Sequence, residues 1–150
     1  MAQEDKVASL LSSYQAFVTY EPLRTEVSWS GFVRFPQEAI VESIPPRASL
    51  DPAIEARRIQ EAVGSNRAAL LIPGRRFDAF GTRHGQGGGW YDRFLAEVPR
   101  EWLRIGFCFD DQFSKDPLPR ESWDQAMDYV VVVNRKIGAV SLYSSEGEPL

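Results

Sequence analysis

The sequence predicts a layered α/β domain, a three-layer sandwich around a central mixed, mostly parallel sheet. Strand-like and helix-like segments alternate along it, and several strand candidates are continuous apolar runs of the kind buried on both faces. Its 150 residues, 43% of them hydrophobic, suffice for one domain with a real core, since a chain of this length hides roughly 68–70% of its unfolded surface.

From Lys6 to Leu11 the apolar positions Val7, Leu10 and Leu11 recur at helical spacing behind an Asp5 that would cap the turn. Ala16–Tyr20 is aromatic and β-branched, and Glu21-Pro22 ends it because proline cannot continue a central ladder. Residues 32–52 carry Pro36, Pro45, Pro46 and Pro52, which predicts an irregular crossing with at most a short edge strand. Asp51-Pro52 is an N-cap followed by proline at the first helical position. Ile54, Ile59 and Val63 extend that helix to Gly64. Ala68–Ile72, closed by Pro73-Gly74, reads as the central strand. A helix over Trp90–Val98 and strands over Ile105–Phe109 and Val130–Val133 follow.

Composition excludes several function classes. The net charge of −4 and pI near 5.1 give no basic field for a phosphate backbone, so nucleic acid is not the expected partner. The apolar run Tyr129–Val133 falls far short of the roughly 20 residues that span a bilayer. No membrane partner is expected. A single cysteine, Cys108, and no apolar leader predict a reducing, cytoplasmic setting. Cys108 itself lies between phenylalanines and is expected in the core.

The segment that points to chemistry is Arg83-His84-Gly85-Gln86-Gly87-Gly88-Gly89-Trp90-Tyr91-Asp92. Glycine lets backbone amides approach an anion, and the N-terminus of a following helix adds unpaired N–H groups and partial positive charge. It is neither a Walker loop nor the dinucleotide GxGxxG pattern, and a flexible connector has the same composition. Arg83 beside the glycines and Asp92 on the first helical turn favour a nucleotide with a magnesium ion. Valine at Gly88 is expected to fill the space a phosphate needs and to forbid glycine's backbone angles. His84, the single histidine, is expected to be structural or phosphate-facing, Asp78 to cap a turn, and Asp110-Asp111 to sit in a solvated loop. Of the four tryptophans, Trp90 is the expected ligand contact because it adjoins the glycine loop.

These residues also carry a resemblance. Leu71-Ile72-Pro73-Gly74-Arg75-Arg76-Phe77-Asp78, Gly81-Thr82-Arg83 and the run from Gly85 to Leu95 resemble, in order and spacing, the signature of the 5-formyltetrahydrofolate cyclo-ligase family. Ile105-Gly106-Phe107, Phe109-Asp110 with Gln112, Leu118 to Asp124, and Asp128-Tyr129-Val130 continue it. Tyr20 to Val27 resembles the family's segment with a substrate-contacting glutamate. The likeness is strong from Leu70 to Val133, fair from Tyr14 to Val27, and absent between.

The resemblance implies a Rossmann-like cyclo-ligase fold over residues 1–150. It implies ATP-dependent closure of 5-formyltetrahydrofolate to 5,10-methenyltetrahydrofolate: ATP phosphorylates the formyl oxygen, a neighbouring nitrogen closes the ring, and phosphate leaves. Carried over by position, Arg83, Gly85, Gln86, Gly87, Gly88, Gly89, Trp90 and Tyr91 hold ATP. Glu26, Gln86 and Trp90 face the folate, and Asp92 and Asp124 hold Mg2+. No residue is assigned to catalysis itself. Folate and ATP are the implied small-molecule partners.

The chain departs from the family pattern in places. The family's N-terminal helix with a lysine and an arginine against ATP is not matched in this sequence, and the segment between the glutamate motif and the central strand is short. His84 stands at a usual leucine, Gln86 at a tyrosine or basic residue, Trp90 at a tyrosine and Trp123 at a polar residue. Three readings follow: a ligase, a nucleotide- and folate-binding scaffold without turnover, or a subunit completed by a partner chain or a second copy, with a partner chain supplying the unmatched basic helix.

Overall fold

A computed structural model describes residues 3–46 and 50–150. Six strands form the main sheet, in the order β2-β1-β3-β6-β8-β9. They are β1 (Ala16–Tyr20), β2 (Ile40–Ile44), β3 (Ala68–Ile72), β6 (Leu103–Phe109), β8 (Tyr129–Val133) and β9 (Val140–Ser144). Every pairing is parallel except that of β8 with β9. The expected mixed, mostly parallel sheet is therefore present.

β3 lies inside the sheet with every residue buried. Leu70 and Ile72 face one core, Ala69 and Leu71 the other, so a strand covered on both sides needs no polar alternation. The first core is roofed by α2 (Pro52–Val63) and α3 (Trp90–Glu97). The second is covered by α1 (Gln3–Leu11) and by residues 27–35, where Phe35 stacks on Phe17 with ring centroids 3.8 Å apart. Helices on both faces make the three layers.

α2 begins where the sequence predicts, with the Asp51 carboxylate accepting from the N–H groups of Ala53 and Ile54 at 2.9 and 3.3 Å, and Gly64 closes it at φ +62°. Ile54, expected on its buried face, is exposed; Ala56, Ile59 and Val63 fill the core instead. Asp5 lies within α1, so it does not cap that helix. There a negative charge in the first turn complements the helix dipole. The irregular crossing resolves into two short 3₁₀ turns, Trp29–Gly31 and Gln37–Ala39, and the edge strand β2.

A second, three-stranded sheet that no sequence pattern announces has the order β5-β4-β7, built from β4 (Arg76–Asp78), β5 (Arg83–His84) and β7 (Phe113–Ser114). Gly106 of β6 lets it dock: a Cβ there would stand 2.3 Å from the ring of Phe77, which is fully buried in the first core. This small sheet carries Arg83 and the start of the glycine loop towards the carboxyl ends of the parallel strands.

Candidate functional site

A cavity of about 700 Å³ opens at those ends. Tyr20 and Ile44 are the last residues of β1 and β2, Pro73 directly follows β3, and all three line it. From β1 the chain moves to β2 on one side and then to β3 on the other. Ligands of open α/β sheets bind at such a reversal, outside the carboxyl ends of the strands.

The glycine loop forms one wall. Gly87 and Gly89 adopt φ +106° and +68°, which side chains with a Cβ rarely accept. Gly89 is the left-handed N-cap of α3. Gly88 has no such φ, and a Cβ on it would meet nothing within 4 Å. The conformational demand expected at Gly88 thus falls on its two neighbours, and Gly88 offers only clear space. Gln86 and the three glycines after it are exposed along the cavity.

Arg83 lies beneath this loop and is only 7% exposed. Its Nε donates to the Pro73 carbonyl at 2.6 Å, and its guanidinium sits 4.7 Å from the centre of the Tyr91 ring. A Cβ on Gly85 would stand 2.8 and 3.0 Å from its two terminal nitrogens. Gly85 is therefore the residue that gives the guanidinium its berth. Burial pushes the Arg83 pKa down, while Tyr91, Asp92, Glu26 and Asp124 pull it back up. A guanidinium stays charged through such a shift, so this is a fixed cation at the cavity wall, with no carboxylate among the described residues hydrogen-bonded to it. Burial pushes the Tyr91 hydroxyl up, keeping it neutral.

Asp92, on the first turn of α3, and Asp124, from the irregular segment before β8, also line the cavity. Asp92 accepts from the Gln125 N–H at 3.0 Å and Asp124 from the Glu121 N–H at 2.8 Å. Burial raises the Asp92 pKa first of all. The Gln125 amide lowers it, and the charge and hydrogen bonding of Asp124 raise it further. Two carboxylates this close repel, and a divalent cation between them removes the conflict. Among the described residues no cluster of three or more histidine, cysteine or acidic side chains could hold a metal. The pair instead suits a magnesium ion, which keeps waters and completes its shell with phosphate oxygens.

Glu26 closes the cavity from the β1 side. One of its oxygens accepts from the Leu23 N–H at 2.8 Å, and the Tyr20 hydroxyl anchors the segment by donating to the Val27 carbonyl at 2.6 Å. Trp90 is a wall residue: its indole N–H donates to the Leu50 carbonyl at 2.9 Å and its ring stacks on Phe94. His84 lines the cavity with a ring nitrogen 2.7 Å from the Pro119 carbonyl.

Every residue the sequence marked for ATP, folate or metal thus lines one cavity. Tyr20, Arg93 and Trp123 line it too and were not expected there; Trp123 is 64% exposed. Its position between Leu118-Pro119 and Asp124 was the available signal. The remaining candidates lie elsewhere. Asp78 accepts from the N–H groups of Phe80, Thr82 and Leu118, as a turn cap should. Asp110 and Asp111 both bind Arg135. Cys108 is buried in the core, and its thiol pKa is pushed up.

The model of the 5-formyltetrahydrofolate cyclo-ligase family matches residues 38–133. The match takes in β2 and α2, where the sequence shows no motif, and leaves Glu26 outside. The chain is similar to the 5-formyltetrahydrofolate cyclo-ligase of Mycoplasma pneumoniae, with 26% identity over 75% of this chain and 69% of that protein. It is also similar to that of Mycolicibacterium smegmatis, with 34% identity over 59% of this chain and 43% of that protein. In fold it resembles a 5,10-methenyltetrahydrofolate synthetase from Mycoplasma pneumoniae, with a TM-score of 0.59 at 23% identity over 89% of this chain and 82% of that one.

Proposed function

The chain belongs to the 5-formyltetrahydrofolate cyclo-ligase family, and on that premise we propose that it closes 5-formyltetrahydrofolate to 5,10-methenyltetrahydrofolate at the expense of ATP. The observation that carries this reading is the single cavity shared by Glu26, the Arg83–glycine loop and the Asp92–Asp124 pair.

In this reading the amides of Gly85 to Gly89 and the first turn of α3 bind the phosphates, and the Arg83 guanidinium faces them from below. Fixed donors of this kind need no reorganisation as charge develops, which makes them effective in phosphoryl transfer. Asp92 and Asp124 hold magnesium, which supplies positive charge to the phosphate oxygens. Glu26 accepts from the amino and N–H groups of the pterin, with Gln86 and Trp90 between the two ligands. The formyl oxygen attacks the terminal phosphorus and the bond to ADP breaks. The neighbouring nitrogen then attacks the formyl carbon and gives up its proton to solvent, and the oxygen leaves with phosphate.

A second reading, binding without turnover, is favoured by the short supply of positive charge: among the described lining residues, Arg83 and Arg93 are the guanidinium groups and there is no lysine. Phosphate release separates the two readings. A ligase frees phosphate from ATP only when 5-formyltetrahydrofolate is present, whereas a binder shows a ligand-dependent melting shift with no phosphate in either condition.

A further inference from the structure

Among the described residues Arg104 is the largest fully enclosed side chain, at 1% exposure. Its neighbours on β6, Leu103, Ile105 and Phe107, face the second core. Strand alternation therefore turns Arg104 to the opposite face, beneath α3. Among the described residues no carboxylate meets its guanidinium. Nη1 donates to the Gln125 side-chain oxygen at 2.9 Å, Nη2 donates to the Leu95 carbonyl at 2.8 Å, and Nε has no partner. Asp128 instead accepts from the Arg104 backbone N–H and pairs with Arg100. Burial and the nearby Arg100 lower the Arg104 pKa to about 10. A charge buried on neutral acceptors is costly, and an apolar residue of similar volume would fill the space more cheaply.

What the charge accomplishes follows from its two acceptors. The Leu95 carbonyl is one of the unsatisfied oxygens in the last turn of α3, the helix that carries Asp92. Gln125 follows Asp124 in the chain, and its N–H donates to the Asp92 carboxylate at 3.0 Å. One cation thus grips both segments that bring the cavity's carboxylates together. We propose that Arg104 is a positioning residue: through Gln125 and the end of α3 it holds Asp92 and Asp124 at the separation a divalent cation requires. The proposal rests on the reading that this pair binds magnesium with ATP.

The test uses Mn2+ as the probe, titrated calorimetrically into the full chain in the presence of ATP. Arg104→Lys, Gln125→Ala and the double variant are compared with the wild type. Each single substitution is expected to weaken Mn2+ binding by about 10- to 100-fold, the usual effect of losing a partner behind a metal ligand. The double variant should be no weaker than the worse single one, because both cut the same connection. Amide exchange gives a readout that needs no metal: the Gln125 N–H should exchange at least roughly tenfold faster in Arg104→Lys while the Phe107 N–H in mid-β6 keeps its wild-type rate. Should Arg104→Lys fail to fold, Gln125→Ala, in an irregular segment, carries the metal test alone. Wild-type Mn2+ affinity in Gln125→Ala, additive losses in the double variant, or unchanged Gln125 exchange in folded Arg104→Lys would each overturn the role of Arg104. Absence of Mn2+ binding by the wild type with ATP present would instead overturn the cavity reading, and the proposal with it.

Discussion

Gly85→Ala isolates the contribution of the buried guanidinium without touching it. The added Cβ would lie 2.8 and 3.0 Å from the terminal nitrogens of Arg83, closer than such atoms approach one another. Those nitrogens are the far end of a flexible side chain, so the conflict is relieved when the guanidinium swings aside at a rotamer cost of about 0.5–1.5 kcal/mol. The fold should therefore survive with a small loss of stability. Binding should suffer more, because a hydrogen bond to a charged group contributes about 1.5–3 kcal/mol. At 1.4 kcal/mol per decade this weakens magnesium-ATP binding about 10- to 150-fold. Calorimetry on the wild type and Gly85→Ala measures it, with circular dichroism to confirm folding. Wild-type affinity in a folded Gly85→Ala protein would refute the placement of Arg83 against the phosphates.

Gly88→Val should fold as the wild type does, since its Cβ meets nothing within 4 Å, yet lose the melting shift that magnesium-ATP gives. Alanine at Gly87, where φ is +106°, should cost about 1 kcal/mol in urea unfolding because of backbone strain. Gly106→Ala forces a Cβ to within 2.3 Å of the enclosed Phe77 ring and should cost about 1–3 kcal/mol as overpacking; a neutral result would contradict the docking of the small sheet. Asp92 has a raised pKa, so its ionisation opposes folding, and that cost grows as pH rises from the unfolded-state value through the folded one. Asp92→Asn should accordingly raise the melting temperature at pH 7, lose that advantage below about pH 4, and abolish Mn2+ binding.

Much of the fold is legible because burial leaves simple marks. Ala68–Ile72 is an unbroken apolar run because both of its faces are covered, and Asp51-Pro52 caps α2 by its own side chain. β4, β5 and β7 were not legible: strands of two or three residues carry no period, and their docking depends on Gly106 accommodating Phe77 across the core. The antiparallel β9 was missed too; its partly exposed residues give no long apolar run. In the site, the glycine loop stands out by composition and the acidic pair by the family pattern. The burial of Arg83 does not, because a charged residue is ordinarily expected outside. Arg104 left one trace, a charge intruding between Leu103 and Ile105 in an apolar strand. Its partner Gln125 lies 21 residues away, and no local pattern links the two.

Whether this cavity carries out ring closure is decided by following the formation of 5,10-methenyltetrahydrofolate from 5-formyltetrahydrofolate by its absorbance. Product should accumulate only when ATP and magnesium are both present, and Glu26→Gln and Asp124→Asn should each suppress it while leaving the protein folded. No product from a wild-type protein that still binds ATP would contradict turnover and leave the binding reading in its place. Undiminished product from both variants would remove the reaction from this cavity.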